Sequence, residues 1–345
     1  MAQAQLELEQ IIKDILQTIE KEREREIISR RFGLFDRKET LEQIGELLGI
    51  TRERVRQLEK AILNRLKSQA IQNLIPHLSK VENTILESIN KSGSIIRINT
   101  LTDNLVESNT KINQSRVAFL VTLSSKLVIV DDNDFYFQSV ANAEQYSTQK
   151  LITSDVEAVV EAIKALGKPS SIKIIAEKLN SKDTTNVKAL ASVSKQIAHL
   201  NRQWGLTKWP TVNPKNIRDK IYVILKDNGK QMHFNEISKK IKQSDFKRKD
   251  VTTQAIHNEL IKDDRFILVG RGIYALKEWG YKKGTVSDVI SEILKKANEP
   301  LHRDEIVKLV LKNRYVKETT ILLNLQGKKK FKRVAKATYA LAEQD

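Results

Sequence analysis

The sequence predicts a mainly α-helical protein with small β-hairpins, in which an N-terminal helix-turn-helix is followed by tandem winged-helix modules. Two amphipathic stretches between Thr40 and Lys67 are separated by a tight corner around Gly49. Beyond Ala70, the order of three helices and an alternating strand pair recurs, and residues 229–276 can be laid over 298–341. The divisions expected are 1–75 for the helix-turn-helix, 76–140 for a first winged-helix-like unit, 150–210 for a degenerate second, 211–281 for a third and 282–345 for a fourth.

The first helix of the pair starts at Thr40, which with Gln43 forms a capping box. Leu41, Ile44, Leu47 and Leu48 make its apolar stripe, Gly49 ends it in a left-handed conformation, and Ile50 plugs the corner. Thr51 caps the second helix. Val55, Leu58, Ile62 and Leu66 fall on its inner face, with Arg52, Glu53, Arg56, Gln57 and Lys60 on the outer one. A short helix, a three-residue turn and a longer helix rich in Arg, Glu and Gln is the arrangement that places its second helix in the major groove.

Those side chains suit base reading. Arg matches guanine O6/N7, Gln matches adenine N6/N7, and Glu accepts from cytosine N4. Charged helix faces are usually just solvated; here the turn and the placement of Arg52 and Glu53 at the helix start favour reading. A Glu among Arg is costly beside phosphate, so Glu53 is expected to face a base. Thr51, Arg54 and Lys60 are expected at the DNA backbone.

From Arg23 to Lys67 the chain resembles region 4 of the sigma-70 family of bacterial RNA polymerase sigma factors. The resemblance is carried by RRFGL at 30–34, TLEQIGELLGIT at 40–51 and TRERVRQLEK at 51–60. It implies that this helix reads a promoter −35 element, with Arg52, Glu53, Arg56 and Gln57 at base edges or adjacent phosphates. It also implies that Arg23 to Phe35 belong to a segment docking on the flap of the polymerase beta subunit. The aromatic-rich region with which complete sigma factors open the −10 DNA is not found, so melting by this chain alone is not expected.

In the repeats, FILVGRGIYAL at 266–276 parallels FKRVAKATYAL at 331–341, and MHFNEI at 232–237 parallels LHRDEI at 301–306. LVIVDDNDFYF, starting at Leu127, is expected to supply the hairpin of the first unit, and Asp155 to Trp209 repeats the order more faintly. Residues 213–281 are similar to the HARE-HTH domain, a winged helix found in the polymerase delta subunit and in some chromatin and restriction proteins. MHFNEI, VTTQAIHNEL and RFILVGRGIYALKEWGY carry that similarity, which is weaker over 284–343.

The hairpin tips differ in charge. Arg271 lies between two glycines and Lys336 follows Val334-Ala335, whereas the first unit presents Asp131, Asp132 and Asp134. An acidic wing repels a phosphate-lined groove. Nucleic-acid contact is therefore expected from the third and fourth units, and protein contact or spacing from the first. Lys247, Arg248, Lys249, Arg271, Lys328, Lys329, Lys330, Lys332, Arg333 and Lys336 are the expected backbone contacts, which give affinity without sequence preference. The bland alternative is that such runs only keep a surface solvated.

Composition agrees with a polyanionic partner. The formal net charge is +17, and most of the surplus lies beyond residue 204. With no Cys, disulfides and thiolate metal sites are excluded. The scattered His77, His199, His233, His257 and His302 suggest no metal cluster, and no Gly-rich phosphate loop occurs. His233 and His302 each precede a Glu by three residues but fit helix starts better than ligands; His257 is a surface or DNA-contact candidate. Trp204 and Trp209, with Pro210 and Pro214, read as a linker whose aromatics pack against a neighbouring unit.

No apolar run reaches the roughly 20 residues of a spanning helix, and the start of the chain does not read as a signal peptide, so a cytoplasmic protein is expected. The functional expectation is a non-catalytic, cofactor-free transcription regulator or polymerase accessory factor. Its partners would be double-stranded DNA and the RNA polymerase core through the beta flap, with no membrane and no small-molecule substrate. The alternative is a polymerase-bound structural subunit that uses its modules for protein contacts only.

Overall fold

The structure, a computed structural model, describes residues 6–281, 283–327 and 330–342. They are mainly helical with small antiparallel hairpins, and the chain divides into two compact units, Met1–Lys208 and Trp209–Asp345.

The first unit opens with α1 (Leu8–Gln17), α2 (Glu22–Phe32), α3 (Leu41–Leu48) and α4 (Arg52–Ile71). α1 is not among the expected elements, although Leu8, Ile11, Ile12, Ile15 and Leu16 have helical spacing, and all five are buried. Next come α5 (Leu78–Ser92), β1 (Ile95–Arg97), α6 (Ile98–Leu105), α7 (Lys111–Leu123), β2 (Leu127–Val130) and β3 (Ser139–Asn142). Helix, strand, two helices and a hairpin, with sheet order β1-β3-β2, is the winged-helix plan. One contiguous core runs through α1, α2, α4 and this first module, from Leu8 to Val140.

The hairpin of the first module differs from expectation. Its second strand is Ser139–Asn142, and residues 131–138 form a long wing loop. Asp-Phe-Tyr-Phe alternates like a strand because it meets a neighbour outside its own sheet. The Phe137 amide donates to the Val193 carbonyl, and the Lys195 amide donates to that of Phe135. Asp132 also forms a 3.0 Å ion pair with Lys195.

These partners belong to the second module, which consists of α8 (Gln149–Leu166), α9 (Ile172–Lys178), α10 (Thr184–Val193), β4 (Ile197–Leu200) and β5 (Gln203–Leu206). The single bridge Ser170–Trp204 stands where the other modules have a first strand. Trp204 is thus a strand residue, buried and stacked on His199 at 4.8 Å, and not part of a linker. Its hairpin turns at Asn201 and Arg202, both left-handed, which hid the strand in a polar stretch.

The second unit contains two further modules of the same order. One has α11 (Ile217–Asn228), β6 (Met232–His233), α12 (Phe234–Gln243), α13 (Thr253–Lys262), β7 (Phe266–Gly270) and β8 (Ile273–Leu276). The other has α14 (Val286–Ala297), β9 (Leu301–His302), α15 (Arg303–Asn313), α16 (Glu318–Leu325), β10 (Phe331–Ala335) and β11 (Thr338–Leu341).

The sequence repeat reappears as a repeat of register. Phe266 faces Leu276 as Phe331 faces Leu341, and Met232 faces Tyr274 as Leu301 faces Tyr339. His233 and His302 start their helices, each Nδ1 accepting a backbone amide, from Asn235 and Asp304 respectively. The edge of β7 is occupied by the fourth module: the Tyr315 amide donates to the Val269 carbonyl, and Arg314 to that of Leu268.

Candidate nucleic-acid interface

α3 and α4 meet at a corner set by local chemistry. The Thr40 hydroxyl accepts the Gln43 amide at 3.2 Å, while the Gln43 side chain accepts the Thr40 amide at 2.9 Å. Gly49 is left-handed at φ 64°, and the Thr51 hydroxyl accepts the Arg54 amide at 3.2 Å to start α4. Ile27, Ile44 and Val55 are fully buried beneath the corner, with Leu41, Leu48, Ile50 and Leu58 against them.

Leu47 does not join this stripe and is 54% exposed. It lies about 100° round the helix from Leu48, and Gly45 takes the inner position instead. A Cβ on Gly45 would stand 2.6 Å from the Ile50 carbonyl oxygen, so the corner closes only over glycine.

α2 braces the pair by polar contacts. Arg23 donates to the Leu48 carbonyl at 2.6 Å, capping the end of α3. Arg31 pairs with Glu59 at 3.2 Å and Arg65 with Glu24 at 2.6 Å, tying α2 to α4. The apolar residues of the expected flap-docking segment are already engaged. Ile28 and Leu34 are fully buried, and Phe32 meets Phe119 of α7 edge-on at 5.0 Å. Arg116 of α7 donates to the Leu34 carbonyl at 2.9 Å, and among these residues Phe35 is left exposed.

Arg52, Glu53, Arg54, Arg56, Gln57 and Lys60 are all exposed, as a reading face requires. They form an internally paired array. Arg56 holds Glu53 through two bonds of 2.7 and 2.8 Å. Arg52 reaches across the corner to Glu42 at 2.8 Å, and Arg54 contacts Gln57 at 3.4 Å. The hydrogen bonds from Arg56 hold the Glu53 carboxyl below its ordinary value, and Glu53 in turn raises Arg56. In the free protein Glu53 therefore faces Arg56, and both groups stay charged. Glu42 lay outside the expected site, because only the folded corner brings it to Arg52, ten residues on.

The expected backbone contacts of the second unit are separately placed. Lys247, Arg248 and Lys249 are exposed on the loop after α12. Arg248 is left-handed at φ 54°, and its carbonyl accepts the buried Lys220 ammonium at 2.8 Å, which anchors the loop from below. Arg271 is exposed in the two-residue turn between β7 and β8. Lys332, Arg333 and Lys336 are exposed on the last hairpin.

Lys330 is engaged in a 3.0 Å ion pair with Asp288, the capping carboxylate of α14. Lys328 and Lys329 lie outside the described residues. His257 is packed between Phe234 and Tyr274, with ring centroids 4.8 and 6.1 Å away, so it is a partly buried aromatic contact.

The fold and this array define a helix-turn-helix protein with appended winged-helix modules. Residues 21–68 match the family described as Sigma-70, region 4. RNA polymerase sigma factor SigA from Bacillus sp is 44% identical over 61 residues, which is 17% of this chain and 16% of that protein. The chain thus matches about a sixth of that relative's length. Among the described residues, no group of three or more His, Cys, Asp or Glu is placed to hold a metal, and no helix is long and apolar enough to cross a membrane.

Proposed function

We propose that this chain is a sequence-specific, non-catalytic DNA-binding transcription regulator, or an accessory factor of RNA polymerase, that reads a promoter −35-like element with α4. The observation that carries the reading is the exposed array Arg52, Glu53, Arg56 and Gln57 on the second helix of a corner matching Sigma-70, region 4. Double-stranded DNA is the main partner and the polymerase core the second, and such work belongs in the cytoplasm. The residues over 211–281 are read as a HARE-HTH-like winged helix, and the exposed Lys and Arg of the second unit as sequence-independent backbone contacts.

Fluorescence anisotropy with a −35-like duplex and a scrambled one tests this. Arg52→Ala and Gln57→Ala are each expected to remove roughly 1–3 kcal/mol of discrimination between the duplexes. A structural subunit that uses its modules for protein contacts alone is the second reading, favoured by the docking of two wings onto neighbouring modules. Under it, both variants leave the ratio of the two affinities where it was.

A further inference from the structure

Where the helix-turn-helix meets the first module there is a cleft of about 850 Å³. One wall is the loop Asp36-Arg37-Lys38 ahead of α3; the other comprises the starts of α6 and α7 and the wing loop. Four cationic residues line it: Arg37, Lys38, Arg97 and Lys111. Arg37, Lys38 and Lys111 are exposed, and none forms an ion pair among the described residues. Arg97 donates to the Ser192 carbonyl and lies 3.9 Å from the centre of the Phe137 ring, so its guanidinium is held in place.

Two carboxylates also line the cleft. Asp132 is countered by Lys195 at 3.0 Å, which leaves Asp36 against four cations that have no carboxylate partner among the described residues. The acidic wing of the first module is thus compatible with a cationic cleft beside it, because the second module neutralises the wing carboxylate that faces inward.

The position of the cleft indicates what it would hold. Lys38 is four residues before Glu42, a chain span of at most about 14 Å, and Glu42 is ion-paired with Arg52 at 2.8 Å. The loop side of the cleft is therefore tied to the start of α4 by one short segment and one ion pair.

We propose that this cleft is a second backbone site, taking phosphodiesters of the same duplex just beyond the segment that α4 reads. The inference rests on the DNA-reading role of α4. It extends the footprint to α7, outside the residues that match Sigma-70, region 4, and gives the first module a nucleic-acid contact. A neighbouring acidic peptide or a free polyphosphate would meet the same cations; continuity with α4 favours DNA.

The test uses the full chain carrying Lys38→Gln and Lys111→Gln together, both exposed positions. Two −35-like duplexes, of about one and about three helical turns (~10 and ~30 base pairs), are titrated over a range of salt concentrations. On the long duplex the slope of log K against log salt is expected to become shallower by ~1.8, at ~0.9 per phosphate contact. On the short duplex it stays as in the unaltered chain, and the preference for −35-like over scrambled sequence is kept.

Equal slopes for the variant and the unaltered chain on the long duplex overturn the proposal. So does competition by pyrophosphate or poly-glutamate for the cleft with no change in slope, which would assign it to a small anion or an acidic partner. Failure of the α4 reading is separable: Arg52→Ala then leaves sequence preference untouched, while the slope change from Lys38 and Lys111 is still scored on its own.

Discussion

Gly45 and Asp288 illustrate how much single positions decide. At Gly45, an added Cβ would sit 2.6 Å from backbone, so the α3–α4 corner must open to accept it. Gly45→Ala is expected to cost about 1–3 kcal/mol, the usual range for overpacking, and to weaken DNA binding by tilting the reading helix. Denaturant unfolding checks the first effect and anisotropy the second; an unchanged midpoint would show that the corner yields freely. At Asp288, the backbone amide and hydroxyl of Thr285 and the ammonium of Lys330 hold the carboxyl well below its ordinary value of 3.8. A depressed carboxylate stabilises the fold above its unfolded pKa, and that contribution fades as pH falls from about 4 toward the folded value. Asp288→Asn should therefore lower the melting temperature at pH 7 and converge with the unaltered chain under acid. A difference that stays constant down to pH 2 would detach the effect from this ionisation.

Elements behave as shared structure more than as separate beads. Phe119 of α7 is fully buried and touches Phe32 of α2, within one core that reaches from α1 to β3. Phe119→Ala is expected to cost roughly 3–5 kcal/mol. Hydrogen exchange should speed up in α2 as well as in α7; protection of α2 left intact would mean that the helix-turn-helix folds without the first module. This sharing explains what could be read in advance. α3 and α4 were legible because Thr40, Gln43, Gly49 and Thr51 act within a few residues of themselves, and the third and fourth modules because one register is written twice. The hairpin of the first module departs from the sequence pattern because Phe135 to Phe137 satisfy their backbone on Val193 and Lys195, a pairing across modules with no local signature. α1 had the apolar spacing, but its role follows from the α7 surface it covers. In the site, the outer face of α4 was legible from periodicity, whereas the pairing of Arg52 with Glu42 and the cations gathered around Lys111 depend on tertiary contacts.

At the scale of the whole chain, charge and sequence reading fall in different places. The helix-turn-helix lies in the first compact unit, where Arg52 and Arg56 are matched by Glu42 and Glu53, while most of the +17 surplus lies beyond residue 204. Long-range attraction to a duplex should then come mainly from the second unit, and discrimination among duplexes mainly from α4. Replacing Lys247, Arg248 and Lys249 by Gln in the full chain separates the two contributions, because the loop is exposed and its anchor, Lys220, bonds to a backbone carbonyl that the replacement keeps. Affinity should fall alike for −35-like and scrambled duplexes, and the log K against log salt slope should become shallower by up to ~2.7 if all three residues meet phosphates, at ~0.9 each. The ratio of the two affinities should hold, in contrast to Arg52→Ala, which changes the ratio and leaves most of the slope. Titrations at several salt concentrations measure both quantities at once. A slope unmoved by the triple replacement would return this loop to the solvent or to a protein partner, and would place the attraction for DNA on the remaining cations of the last two hairpins.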